Sequence, residues 1–256
     1  MSLDEGHDSL AVRVQFGHPR SLFAIVERIR AMFDLNADWV AIAQGLAPDP
    51  VLARHMEAKP GMRVPGCWDG FELAIRAVLG QQITVAGATT LAGRLAKTFG
   101  QPFSAPGGLT HLFPSPEVLA GADLDGLGLT RARCQTLRIL AHAVCDGRLS
   151  FAGIGDCGGF LASMCEIPGI GKWTAQYVAM RALGEPDAFP SGDLGLLRAL
   201  DLKSTGELER RAEAWRAWRA YACMYLWDSL GKDRSVAAAE SDRLNSHQPG
   251  RRRHAR

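Results

Sequence analysis

The chain has 256 residues, 47% of them hydrophobic, which is enough for one substantial core or two smaller ones, and no apolar run is long enough to cross a membrane. A cytoplasmic protein is therefore expected. Net charge is +2, but Arg251, Arg252, Arg253 and Arg256 fall in the last six residues; removing these four of 29 basic residues leaves 25 against 27 acidic ones, which excludes a broadly basic nucleic-acid binder.

The six cysteines (Cys67, Cys134, Cys145, Cys157, Cys165, Cys223) lack Cys-x-x-Cys spacing and a secretory signal. Neither a disulfide framework nor a zinc site is indicated, and buried thiols are expected.

Taken in chain order, Met1 to Ser9 read as disordered. Leu10, Val12, Val14 and Phe16 alternate with polar or small residues, the period of a half-buried strand, and Leu22, Ile25, Val26, Ile29, Met32 and Phe33 share one face of a helix. One strand and one helix cannot satisfy their own sheet edges, so residues 1–57 read as part of a larger α+β unit.

The breaker-rich stretch Asp49 to Gly66 marks a boundary. Beyond it the periodicity is helical. Phe71, Ile75, Val78 and Leu79 form one stripe; Thr84 caps a second helix bearing Val85, Ala88, Leu91, Ala92, Leu95 and Phe99. Gln81 and Gln82 lie in the break between them. A Pro/Gly-rich loop (101–116), a helix from about Arg131 to Cys145, and a Trp/Tyr-bearing helical segment from Glu207 to Leu230 follow. A basic tail over 235–256 is expected to be disordered.

The stretch Ile167 to Asp193 carries the chemistry. Pro168, Gly169, Ile170 and Gly171 form a turn between an apolar helix end (Phe160, Leu161, Met164) and a new helix (Trp173, Tyr177, Met180). Glycines at Gly169 and Gly171 allow positive φ and leave backbone N–H groups open to an anion at a helix N-terminus. An ordinary helix–helix corner is the plain alternative, but Lys172 and the Thr174-Ala175 opening favour a phosphate-holding hairpin. Asp193, after Pro190-Ser191-Gly192 and before an apolar run, suits a helix N-cap, which also holds a carboxylate ionised and fixed in direction.

A hairpin Ile-Pro-Gly-Ile-Gly-x-x-Thr-Ala followed some twenty residues later by Asp resembles the helix-hairpin-helix DNA glycosylases. The likeness is to the DNA-3-methyladenine glycosylase II branch and spans roughly Leu10 to Trp227, with Arg63 to Glu72, Leu79 to Gln82, Asp187 to Asp193 and Trp215 to Tyr221 in support. It implies a mainly α fold of two helical subdomains (58–234) with the active-site cleft between them, preceded by a partial α+β domain.

The resemblance further implies a monofunctional enzyme, expected to be a nucleoid-associated monomer, that flips alkylated bases out of duplex DNA and hydrolyses the N-glycosidic bond in base excision repair. It assigns catalysis to Asp193, as electrostatic stabiliser or as the group that deprotonates water. The base pocket falls to Trp173, Tyr177 and Trp227, and DNA contacts to Gln82, Gly169, Gly171, Lys172 and Thr174. Gln82 is either a wedge for the emptied stack or a solvated loop residue. Strand-cutting relatives hold a lysine where this chain has Trp173, so no lyase activity is expected. Only Cys223 follows Asp193, so no iron–sulfur cluster is expected either. No cofactor is required; a K⁺ or Na⁺ ion on the carbonyls of Cys165, Ile167 and Ile170 is implied. The rivals are a non-catalytic DNA-binding hairpin module, which needs neither Asp193 nor the Trp173–Tyr177 pair, and a glycosylase for another lesion.

Overall fold

The computed structural model describes residues 2–4, 9–14, 21–104, 108–152 and 155–231. Phe16 and the 235–256 tail lie outside them.

The N-terminal segment differs from its reading. Ser2–Asp4 (β1) is not disordered but pairs antiparallel with Ser9–Ala11 (β2), Leu3 opposite Leu10, and the strand expected to run through Val14 stops at Ala11. Helix α1 (Leu22–Met32) forms as expected, yet no residue of it is buried: Ile25, Ile29 and Met32 are half-covered, while Leu22, Phe23 and Val26 are exposed.

The breaker-rich stretch holds structure of its own. After α2 (Trp39–Leu46), Asp49 caps α3 (Pro50–Ala58), and Pro50 at the first helical position costs nothing because its missing N–H would be unpaired there. Asp49 also accepts from Arg211 Nε at 3.0 Å and Trp215 Nε1 at 3.0 Å, tying this segment to the far end of the chain.

Helices α4 (Gly70–Leu79), α5 (Val85–Phe99), α6 (Pro116–Ala120), α7 (Arg131–Cys145), α8 (Cys157–Glu166) and α9 (Lys172–Val178) make the middle of the fold. Helix α4 is central: it packs against α5, α7, α9 and the π-helical turn Ala179–Leu183 that continues α9. Its Phe71, Ala74, Ile75, Val78 and Leu79 are all buried, which is the stripe its periodicity predicts. Burying a residue of that size is worth roughly 1.5–3 kcal/mol, so α4 is a main source of the cohesion that holds the hairpin in place.

A second group comprises α2, α3, α10 (Leu194–Ala199), α11 (Thr205–Ala212), a 3₁₀ turn (Glu213–Trp215) and a final helix, α12, over 219–231. The helical segment read from Glu207 to Leu230 has its break around residues 213–218. Trp215 and Tyr225 from it are buried in the core, the ordinary fate of an aromatic stripe.

Candidate active site

Helix α8 ends at Ile167, buried, and the chain turns through Pro168 and Gly169. Gly169 has φ +90°, and a Cβ there would stand 2.4 Å from Thr136 Oγ1. Glycine is required on both counts. The Thr136 hydroxyl donates to the Pro168 carbonyl at 2.7 Å, clipping the turn to α7.

Gly171 departs from its reading: its φ is −92° and its ψ 173°, ordinary extended backbone at the N-cap of α9. A Cβ there would meet nothing within 4 Å, so it leaves the helix N-terminus bare rather than supplying a left-handed turn. Lys172 is exposed beside it. Thr174 also needs correction. Its side chain points into the bundle, 3% exposed, and its hydroxyl accepts from Gln81 Nε2 at 3.0 Å. It is the third residue of α9 and faces α4, so only its backbone N–H is left for a phosphate.

The glutamine pair divides its work. Gln81 Nε2 also donates to the Gly169 carbonyl at 3.0 Å, while the Gln81 carbonyl accepts from Arg133 at 2.7 Å, so this residue braces the hairpin. Gln82 is exposed with φ +59°. A non-glycine residue in that region costs about 1 kcal/mol or more, and here it turns the side chain out between the two helices.

Asp193 caps α10, Oδ1 accepting from Leu196 N at 3.0 Å. Two indoles complete its shell: Trp227 Nε1 donates to Oδ1 at 3.0 Å and Trp173 Nε1 to Oδ2 at 2.9 Å. Two of the three residues expected in a base pocket, Trp173 and Trp227, thus hold the carboxylate. Charge-assisted bonds of this kind are about twice as strong as neutral ones. Trp173 stacks on Tyr177, centroids 5.3 Å apart and planes 5° apart. Beneath Asp193 the Cys223 thiol is pushed well up by burial and then by the Asp193 charge, so it stays protonated and inert.

These groups open on a cleft of about 630 Å³ lined by Gly80, Gln81, Gln82, Gly169, Gly171, Trp173, Thr174, Gly192, Asp193, Leu194 and Gly195. Loop, hairpin and carboxylate from three separate stretches thus share one opening. Tyr177 and Trp227 stand behind it, reaching it through Trp173 and Asp193.

The carbonyls of Cys165, Ile167 and Ile170 lie at the end of α8 and in the turn that follows it. Ile167 O already accepts from Ile170 N at 3.0 Å but keeps a second lone pair. Oxygen donors at the negative C-terminal end of α8 suit a hard monovalent cation. Not all thiols are buried: Cys134 and Cys223 are, Cys145 and Cys165 are exposed. Sequence reasoning missed Gln81, Arg133 and Thr136 as braces, and Arg181, whose four-residue spacing from Tyr177 was the available signal.

Residues 75–218 match the family model of the HhH-GPD superfamily base excision DNA repair proteins, and residues 1–69 match the AlkA N-terminal domain. The chain is 41% identical over 218 residues to a probable bifunctional transcriptional activator/DNA repair enzyme AlkA of Mycobacterium tuberculosis, a match covering 82% of this chain and 44% of that one. It is 36% identical over 184 residues to DNA-3-methyladenine glycosylase 2 of Escherichia coli, covering 70% and 64%. It thus spans between about half and two thirds of these relatives' length. A 3-methyladenine DNA-glycosylase structure from Archaeoglobus fulgidus shares the fold, with a TM-score of 0.68 at 22% identity over 83% of this chain and 76% of that one. The glycine-bearing hairpin, the clamped aspartate and the matched models lead to one conclusion: the chain belongs to the HhH-GPD superfamily of base excision DNA repair proteins, in its AlkA-like branch.

Proposed function

We propose that the chain is a monofunctional DNA glycosylase that flips alkylated bases such as 3-methyladenine out of duplex DNA and hydrolyses their N-glycosidic bond. The observation that carries this reading is the Asp193 carboxylate, held by three N–H donors at the edge of the cleft the hairpin lines. A backbone-binding hairpin has no use for such a group.

The chemistry follows from the charge. An alkylated purine such as 3-methyladenine is cationic, so the C1′–N bond breaks with its electron pair passing to the base, which leaves neutral. Positive charge moves to the sugar, and an anion beside C1′ stabilises it. Water then adds to C1′ and loses its proton to Asp193 or to solvent. No redox cofactor enters this balance.

Extraction of the base falls to the protein. The bare N-terminus of α9 and Lys172 hold the backbone phosphates, Gln82 enters the emptied stack, and Trp173 offers its face to the base. A K⁺ or Na⁺ ion on the carbonyls of Cys165, Ile167 and Ile170 would rigidify the turn; replacing both by a large organic cation should then weaken binding to a phosphate-matched duplex.

Trp173 stands where, by the resemblance, strand-cutting relatives hold a lysine, and its indole donates to Asp193. Base release without strand scission is the expected outcome, and a borohydride-stable protein–DNA adduct would refute it. The active form we propose is a monomer, which sedimentation run alongside base release checks. Its setting would be cytoplasmic DNA; among the described residues no helix is long and apolar enough to cross a membrane.

The test is chromatographic resolution of bases released from methylated duplex DNA by the unaltered chain and by Asp193→Asn. Release by the first and little by the second is expected. DNA binding without release by either would end the catalytic reading.

A further inference from the structure

The third turn of the hairpin's second helix carries a cation that the reaction above leaves unused. Trp173, Tyr177 and Arg181 recur at four-residue spacing along α9 and its π-helical continuation, so they stand one above another on one face. The Arg181 guanidinium lies 5.6 Å from the Tyr177 ring centroid and donates to the Tyr177 hydroxyl at 3.3 Å. Its Nε donates to the Pro65 carbonyl, which fixes it from the other side. Tyr177 is thus engaged by an indole and by a cation at once. Among the described residues no carboxylate pairs with Arg181, and an arginine keeps its charge at every accessible pH.

Resting on the glycosylase reading, we propose that Arg181 is a specificity-determining residue: its fixed charge behind the Trp173–Tyr177 pair disfavours bases that are already cationic and so sets the balance between cationic and neutral lesions.

A cationic base stacked on the pair draws on the negative faces of the rings. The guanidinium draws on the same ring system, leaving less for the base. It also repels the base directly, across the two stacked rings that stand between them. Both effects weaken a cationic base and leave a neutral one nearly unchanged. Asp193 acts in the opposite sense from the cleft side, so a charged base is poised between an anion at the sugar and a cation behind the rings.

Arg181→Met keeps most of the side chain's length and removes the charge; Arg181→Lys keeps the charge and loses the planar fork. Both would be compared with the unaltered chain in competition binding to duplexes holding 7-methylguanine, which is cationic, or hypoxanthine, which is neutral. Placing each on a 2′-fluoro sugar, which resists base loss, reads discrimination without turnover. Arg181→Met should raise the ratio of cationic to neutral affinity about fivefold, with Arg181→Lys within about twofold of the unaltered chain. An unchanged ratio in Arg181→Met, or an equal change in Arg181→Lys, would mean that Arg181 only braces Tyr177 against Pro65. Base release from ordinary methylated duplex is measured alongside. Its absence would sink the glycosylase reading, while the binding ratio still decides the role of Arg181.

Discussion

Trp227→Phe separates two roles that the same indole could play. Phenylalanine keeps an aromatic face for a base and most of the buried area, but it removes the Nε1 donor that meets Asp193 Oδ1 at 3.0 Å. If the ring matters only as a stacking surface, the change should be nearly silent. If the carboxylate needs that bond to stay aimed, the loss is that of a hydrogen bond to a charged group, about 1.5–3 kcal/mol. The site is half-buried and Leu196 N still holds Oδ1, which places the effect toward the lower end. Roughly 1.5–2 kcal/mol corresponds to a fall of about 10- to 30-fold in the rate of the chemical step. Single-turnover base release with enzyme in excess isolates that step from product release. Trp173→Phe should act through Oδ2 in the same way, and because both indoles hold one carboxylate the double variant should lose less than the sum. A Trp227→Phe rate within about twofold of the unaltered chain, together with collapse in Trp227→Ala, would refute the argument and return Trp227 to the pocket wall.

Three further outcomes are expected. Gly169→Ala should destabilise by about 1–2 kcal/mol or more in denaturant unfolding, since φ is +90° and Thr136 Oγ1 lies in the way, whereas Gly171→Ala should stay near neutral. Gln82→Gly should raise stability by about 0.5–1 kcal/mol by relieving its left-handed backbone, while lowering base release by duplex DNA more than by a mismatched site that is already easier to open. Asp49→Ala should cost about 2–4 kcal/mol, because it removes a cap and leaves Arg211 and Trp215 Nε1 without their acceptor. Burial pushes the Asp49 carboxyl up, but its bonds to Arg211, Trp215 and Val51 outweigh that and hold it below the ordinary value. Its contribution is therefore complete above the unfolded pKa near ~3.9 and lost as pH falls through the folded one, so the two stability curves should begin to converge only below about pH 4.

The sequence was most informative where one local rule acted alone. The α4 stripe, the Thr84 cap and the span of α7 follow from periodicity and capping, and the structure reproduces them. It was least informative where distant groups compete for one residue. Thr174 at the head of a helix reads as a phosphate contact, yet a glutamine 93 positions away in the chain occupies its hydroxyl. Trp173 and Trp227 read as flat surfaces because spacing reports where a ring sits and not where its N–H points. Helix α1 has a regular apolar face, but periodicity cannot say whether anything covers it, and among the described residues its outer side stays exposed.

On the proposed glycosylase reading, the manner in which Asp193 is held bears on how it would stabilise the sugar. Its partners are two indole N–H groups and a backbone N–H, and among the described residues no lysine, arginine or histidine pairs with it. Donors of this kind orient a carboxylate without cancelling its charge. That distinction matters for a reaction whose positive charge develops on the sugar. A salt bridge would direct the carboxylate field into its own counter-ion, and at an effective dielectric near ~20 a cation within about 4 Å would offset several kcal/mol of the attraction. The helix α10 N-terminus adds its partial positive charge in the same dispersed form. An arginine in place of either indole would hold the carboxylate as firmly and remove the uncompensated charge that the proposed reaction calls for.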